Sequence, residues 1–368
     1  GVAGWIGAGH GQGRTVRLEP GSLAQDLKIS LLNAQNPPSN YRIMPEIVLK
    51  TLHLTEPFRI AHGVSSTRQV VRVHENGAVG EAPLVYYYGE SAEETVAWLK
   101  GDREGEGSKA GRLARDLCSW DQKPEPLWKG AERSLGTGKS WEDVYACRSL
   151  GIPTDLRLFA EKVRETSRHF RVLKLKLGSG DLTHDEGIVS AARAAAPTTT
   201  MFVDVNGGWT VDETVLMLER LKGYGLVMIE QPVHHGQGIE AWKELRAKLP
   251  ADALPLYADE SAQNADDVQR LAGMADGVNV KLLKCASFGG GIEMVAAARR
   301  LGMGVLVGCM IESSLGTTAA AHLAPWADWV DLDGHLYLAD DDYAGITFDE
   351  EGRVVMPQGC GIGARPRT

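Results

Sequence analysis

From about residue 144 the chain repeats one pattern: a short apolar run, then a stretch whose apolar residues recur at helical spacing. The runs are FRVLKLKL, MFVDVN, LVMIEQP, PLYADE, GVNVKLL, GVLVGCM and WVDLDG, beginning near 172, 201, 226, 255, 278, 304 and 328. An earlier run, VYACRSLG at 144–151, makes eight. Strand–helix repeats of this length predict parallel strands joined by right-handed crossovers. Eight of them favour a closed α/β barrel of the TIM (β/α)8 type over an open sheet.

Residues 44–143 read differently. EIVLKTLHL and RQVVRVHE are strand-like, and Asn76-Gly77 after Glu75 predicts a hairpin turn. Residues 91–135 read as mostly helical, broken at GDREGEGSKAG. This block is expected to be a small α+β domain, with 144–333 as the barrel. The last segment, 334–368, is expected to return to the first domain. Residues 1–43 are glycine-rich and loop-like and begin without Met. They are read as an N-terminal extension, native or introduced, and set aside from the chemistry. Their glycines do not fit GxGxxG and follow no strand, which argues against a dinucleotide site.

Charge and composition narrow the partners. A formal net charge of -9 disfavours nucleic acid and anionic membrane surfaces. No apolar run approaches the ~20 residues needed to span a bilayer, and the start shows no basic-then-apolar leader. The five cysteines are scattered, odd in number and without CxxC spacing, so free thiols and a cytoplasmic location are expected.

Barrel chemistry sits at the C-terminal ends of the strands. The second run carries Lys174 and Lys176, two apart and therefore on one face. The third ends with Asp204 and Asn206, the fourth with Glu230, and the fifth with Asp259 and Glu260. The sixth carries Lys281 and Lys284, the seventh leads into Cys309, Met310 and Glu312, and the eighth ends with Asp331 and Asp333. Asp204, Glu230 and Asp259 come from adjacent strands and should converge. Three carboxylates that would otherwise repel suit a hard divalent ion, Mg2+ rather than Zn2+, because no His/Cys cluster accompanies them. His234 and His235 are assigned to a loop. Strands two and six lie across an eight-strand ring, so Lys176 and Lys281 can approach one carbon from opposite faces. Lys174 beside Lys176 is expected to lower its pKa and make it a usable base.

The segments KLK (174–176), DVNGGW (204–209), IEQPV (229–233), ADES (258–261), NVKLLK (279–284) and MIESSLG (310–316) together resemble the enolase superfamily, muconate-lactonizing subgroup. The resemblance spans roughly 44–364. It implies a capping domain completed by the C-terminal segment, a modified (β/α)8 barrel, and one Mg2+ held by Asp204, Glu230 and Asp259. DLDG at 331–334 resembles the dipeptide epimerases, in which such an Asp pair binds the substrate's α-ammonium. Period-two geometry puts Asp331 and Asp333 on one face for that purpose.

The reading is a dipeptide epimerase: Lys176 and Lys281 exchange the α-proton of the C-terminal residue, with Lys174 in support and Lys284 structural. Cys309, Met310, Glu312, His62 and Arg68 are candidate substrate contacts. The loop RIAHGVSSTRQ, 59–69, holds Gly63 where related Ala-Glu epimerases carry an arginine. The tyrosines at 86–88 are read as domain-interface aromatics ahead of a substrate pocket. The expected partner is a small dipeptide, in a chain that is a possible homo-oligomer. Alternatives are a muconate cycloisomerase, an o-succinylbenzoate synthase, an N-acylamino acid racemase, or a non-catalytic barrel used as a binding module.

Overall fold

The computed structural model describes residues 44–368, apart from the side chain of Tyr87. The reading of residues 1–43 lies outside the described residues. Strands β1 (Glu46–Ile60), β2 (Gly63–Glu75) and β3 (Ala78–Leu84) form an antiparallel sheet in that order. Asn76 and Gly77 join β2 to β3 with φ of 53° and 82°. Positive φ at both central residues is what a two-residue hairpin turn requires, and Asn-Gly supplies it at least cost. Helices α1 (Ala92–Lys100), α2 (Lys109–Asp121) and α3 (Leu127–Leu135) follow, with the glycine-rich break between α1 and α2. Leu113, Ala114, Leu117 and Cys118 of α2 are buried in the main core that also takes Val71, Val73 and Val79 of the sheet.

Residues 59–69, expected as a loop, are instead the far end of the β1–β2 hairpin. Pairing continues through Phe58–Ser65 to Ile60–Gly63, after a register shift between His53 and Phe58. Packing drives the extension. Leu52, Leu54, Phe58 and Val70 bury against Tyr337 and Leu338, and Phe58 meets the Tyr337 ring edge-on at 4.7 Å. Small polar residues at the tip carry no such pattern, so the sequence there reads as a loop.

Eight parallel strands follow: β4 (Cys147–Leu150), β5 (Val172–Lys176), β6 (Thr200–Asp204), β7 (Leu226–Glu230), β8 (Leu256–Ala258), β9 (Gly277–Val280), β10 (Gly304–Gly308) and β11 (Trp329–Asp331). They pair in sequence order, and a parallel bridge between Ala146 and Val330 brings the first strand to the last. The barrel floor is apolar, built from Cys147, Phe202, Met228, Tyr257 and Leu306. Gly304 makes room for Tyr257, since a Cβ there would lie 2.0 Å from its hydroxyl. Leu173 and Leu175 alternate with the two lysines of β5 and belong to the main apolar core. The C-terminal segment touches both halves. Ala339 N donates to His53 O at 2.8 Å, and Arg72 is buried between Glu81 and Asp342. Val354 N donates to Val144 O at the barrel's entry.

Candidate active site

A cavity of about 470 Å³ lies between the barrel's strand ends and the β1–β2 hairpin. Lys176 and Lys281, from strands across the ring, both line it, as do Asp331, Asp333, Cys309, Met310 and Arg68. Phe58, Ile60, Leu84 and Ile311 make part of its wall apolar. His62 and Glu312 are not among the lining residues. His62 sits 3.7 Å from Glu260, and its carbonyl accepts from the Tyr86 hydroxyl. Glu312 accepts from Met310 N at 3.1 Å and crowds Gly316, where a Cβ would come within 2.3 Å of its Oε2.

Beneath the cavity, oxygens of Asp204, Glu230 and Asp259 lie within 4.8 Å of one another, and all three residues are fully buried. Asp204 and Glu230 end β6 and β7 and face each other in register. Asp259 follows the last residue of β8. Four lysines answer these acids. Lys174 Nζ lies 3.0 Å from Asp204, 2.8 Å from Glu230 and 2.7 Å from Asp331. Lys176 Nζ donates to Asp204 Oδ2 at 2.6 Å and Asn206 Oδ1 at 3.1 Å. Lys281 Nζ donates to Asp259 Oδ2 at 2.7 Å.

Lys281 is not the strand's last residue. It follows β9 and leads into a one-turn helix, Leu282–Cys285, that carries Lys284. Lys284 therefore points under the site, donating to Asp259 Oδ1 and to the carbonyls of Asp259 and Asn279.

Burial and charge decide the protonation states. Burial works against the Lys174 ammonium, but Asp204, Asp331 and Glu230 overcome it and raise its pKa well above the ordinary value. Lys281 is raised in the same way, chiefly by Asp259 against burial. At both positions the ammonium has an acid neighbour, and attraction outweighs burial and the repulsion between lysines. Glu230 behaves oppositely. Burial, then the adjacent Asp204 charge, push its pKa up to about 7. Its Oε2 is buried and accepts no hydrogen bond, although Lys174 stands nearby as a charge partner. An orphaned carboxylate oxygen among three convergent acids is a donor set that fits a hard divalent cation.

Asp331 and Asp333 both reach the cavity, but not by strand alternation. β11 stops at Asp331, and Asp333 caps a short 3-10 turn, Gly334–Tyr337. Asp331 takes Lys174 and the Ser149 hydroxyl, whereas Asp333 takes Arg148 and the Ser149 backbone. Arg148 and Ser149, supplied by the first strand and not singled out from the sequence, hold these two carboxylates in place. A polar Ser two residues from Cys147 on an interior-facing run was the available signal. Asn279 was legible in the same way: it alternates with Lys281, and its Nδ2 donates to Glu230 Oε1 at 2.7 Å. Gly308 accommodates it, since a Cβ there would sit 2.6 Å from Asn279 Oδ1.

Residues 157–368 match the family model described as enolase C-terminal domain-like. The L-Ala-D/L-Glu epimerase of Bacteroides thetaiotaomicron is 31% identical over 305 residues, covering 77% of this chain and 76% of that protein. The aromatic dipeptide epimerase of Herpetosiphon aurantiacus is 32% identical over 350 residues, covering 85% and 95%. A dipeptide epimerase from Methylococcus capsulatus, solved with Mg and L-Arg-D-Lys, superposes with a TM-score of 0.76 at 25% identity, covering 87% of this chain and 98% of that one. Among the described residues no helix is long and apolar enough to cross a membrane. The barrel, the antiparallel N-terminal sheet domain and these matches lead to one assignment: the chain belongs to the enolase superfamily and is an isomerase grouped with its racemases and epimerases.

Proposed function

We propose that the protein is a Mg2+-dependent dipeptide epimerase that inverts the α-carbon of the C-terminal residue. The observation that carries this reading is the placement of Lys176 and Lys281, at the ends of strands across the barrel, facing one cavity above three convergent acids. Asp204, Glu230 and Asp259 would hold the ion. When bound, Mg2+ supplies positive charge that stabilises the enolate of a substrate carboxylate. The chain's own residues do the rest. One of Lys176 and Lys281 takes the α-proton, and the other delivers a proton to the opposite face. Lys174 holds its charge beside both Asp204 and Glu230 and so steadies the acids. Asp331 and Asp333 receive the amino terminus, which a muconate or succinylbenzoate substrate would lack. The hairpin shelters the cavity from water, with Arg68 on its wall. Cys309 and Met310 line the same cavity.

The relatives are named for, or solved with, acidic, aromatic and basic partners, so side-chain preference does not transfer from them. The experiment is proton exchange in deuterated water with Mg2+ and a broad dipeptide library. Deuterium is expected at the C-terminal α-carbon of a subset. No incorporation anywhere would end the epimerase reading, and incorporation into N-acylated amino acids alone would favour a racemase of that class.

A further inference from the structure

Two strand-end residues have no place in the reaction as derived above. Asn206 lies two positions beyond the end of β6, and Glu260 two beyond the end of β8. Both are 4% exposed, and polar groups at that depth need partners. They partner each other: Asn206 Nδ2 donates to Glu260 Oε1 at 3.0 Å. On its other side, Asn206 Oδ1 accepts from Lys176 Nζ at 3.1 Å. An ammonium only donates and a carboxylate only accepts, so the amide between them has one orientation. The chain runs from cation through amide to anion, and each bond polarises the next. Glu260 Oε2 is buried and accepts no hydrogen bond. His62 of the hairpin turn lies 3.7 Å from Oε1, beyond hydrogen-bond length. Among the described residues, Asn206 is therefore the side chain that donates to this carboxylate.

The two lysines that face each other across the cavity are not held alike. Among the described residues, Lys281 Nζ has one side-chain acceptor, Asp259 Oδ2 at 2.7 Å. Lys176 Nζ has two, Asp204 Oδ2 at 2.6 Å and Asn206 Oδ1. An ammonium carries three hydrogens. With two directions taken, the third is set, and Lys176 lines the cavity. Asp204 is also one of the three acids that would hold the ion, so Asn206 is the partner of Lys176 with no second duty. The backbone of Asn206 is fixed as well. Its φ of 48° is left-handed, which Asn tolerates better than most residues. Its N–H donates to Asp204 Oδ1 at 2.9 Å.

Resting on the epimerase reading, we propose that Asn206 and Glu260 are positioning residues for one face of the reaction. Asn206 aims the Lys176 nitrogen at the substrate α-carbon, and Glu260 holds the Asn206 amide in place. Neither hydrogen-bonds Lys281, whose acceptor is Asp259. One of the two proton transfers therefore depends on the pair, and the other does not.

The test follows exchange of the α-proton for solvent deuterium by NMR, at saturating Mg2+. It uses each pure epimer of the dipeptide that exchanges fastest in the library assay. Wash-out of one epimer needs one lysine, and Lys176→Met identifies the epimer that Lys176 serves. Asn206→Ala is expected to slow exchange of that epimer by about tenfold to a hundredfold, the cost of a misaimed catalytic group. The other epimer should exchange near the wild-type rate. Glu260→Ala should give the same one-sided loss, smaller in size. Glu260→Gln, whose amide oxygen can still accept from Asn206, should recover most of it. A folding or metal-binding defect would slow both epimers together, because both faces share the ion and the barrel. Equal losses on both epimers, a loss confined to the Lys281 epimer, wild-type exchange in Asn206→Ala, or Glu260→Gln no better than Glu260→Ala overturns the assignment. If Asn206→Ala does not fold, the two Glu260 variants decide by the same split between epimers. A wild type that exchanges no dipeptide removes the epimerase reading, and this assignment with it.

Discussion

The two ends of the cavity are built on different terms. Below the lysines, acid and base partners come from strands that sit side by side: Lys176 of β5 with Asp204 of β6, and Lys281 just after β9 with Asp259 just after β8. Around Asp331 and Asp333 and under the hairpin, the partners come from far apart in the chain. Arg148 meets Asp333, Lys174 meets Asp331, and Phe58 meets Tyr337. The first region is a closed set of buried charges in which each group depends on the others. The second is a wall that joins a few polar groups to apolar surroundings such as Phe58, Ile60 and Ile311. On the proposed function, the proton transfer falls to the closed set of charges and the choice of substrate to the wall.

The sharpest way to break this contrast is to remove a lysine. Lys281→Met or Lys176→Met should reduce epimerisation by about 10²–10⁴-fold, the usual worth of a positioned acid or base. Each variant should still wash out the α-proton of one epimer, and opposite epimers should survive in the two variants. NMR of each pure epimer in deuterated water reads this directly. If both variants lose exchange on the same epimer, the two-face assignment is wrong.

Lys174→Met tests whether the buried charges are interdependent. It leaves Asp204, Glu230 and Asp331 short of a shared cation, and an uncompensated buried charge costs on the order of 3–5 kcal/mol. Urea unfolding of chelator-treated protein should show that loss, and added Mg2+ should recover part of it. An unchanged midpoint would mean that the network is not cooperative.

Glu312 gives a pH-dependent comparison. Burial, reinforced by Glu81, pushes its pKa from the ordinary 4.5 up to about 8. Between those values the folded state binds more protons than the unfolded chain, so stability falls as pH rises through that window. Below it the penalty is absent, and above it the penalty is complete. Glu312→Gln, which mimics the neutral acid, should flatten the profile and be more stable than wild type at pH 8 by on the order of a few kcal/mol. Parallel profiles for the two proteins would contradict the buried neutral acid.

The smallest effect belongs to the hairpin. Arg68→Ala should change stability by less than about 0.5 kcal/mol, while altering the rank order of dipeptides in the library assay. An unaltered ranking would take Arg68 out of substrate selection.

Much of the lower region was legible. Strand-end residues inherit their place from the strand-to-helix rhythm, so Asp204, Glu230 and Asp259 follow once the barrel is inferred. Lys174 and Lys176 share a face because side chains alternate. The upper region was less legible, for particular reasons. Asp333 lies beyond the end of β11, so alternation does not set its direction. Glu312 points back to its own backbone instead of into the cavity. The tip at 59–69 lacks apolar alternation, and its strands are held by Tyr337 and Leu338, nearly three hundred residues away.

By itself the sequence determined the repeat, the strand ends and the residue types placed there, because these depend on local periodicity and short loops. Only the tertiary structure decided who pairs with whom. Lys174 is 157 residues from Asp331, and Arg148 is 185 from Asp333. Those contacts exist because the last strand closes against the first. Closure also sets the protonation states, since the burial and charge that raise Lys174, Lys281 and Glu230 arise only when all eight strand ends meet.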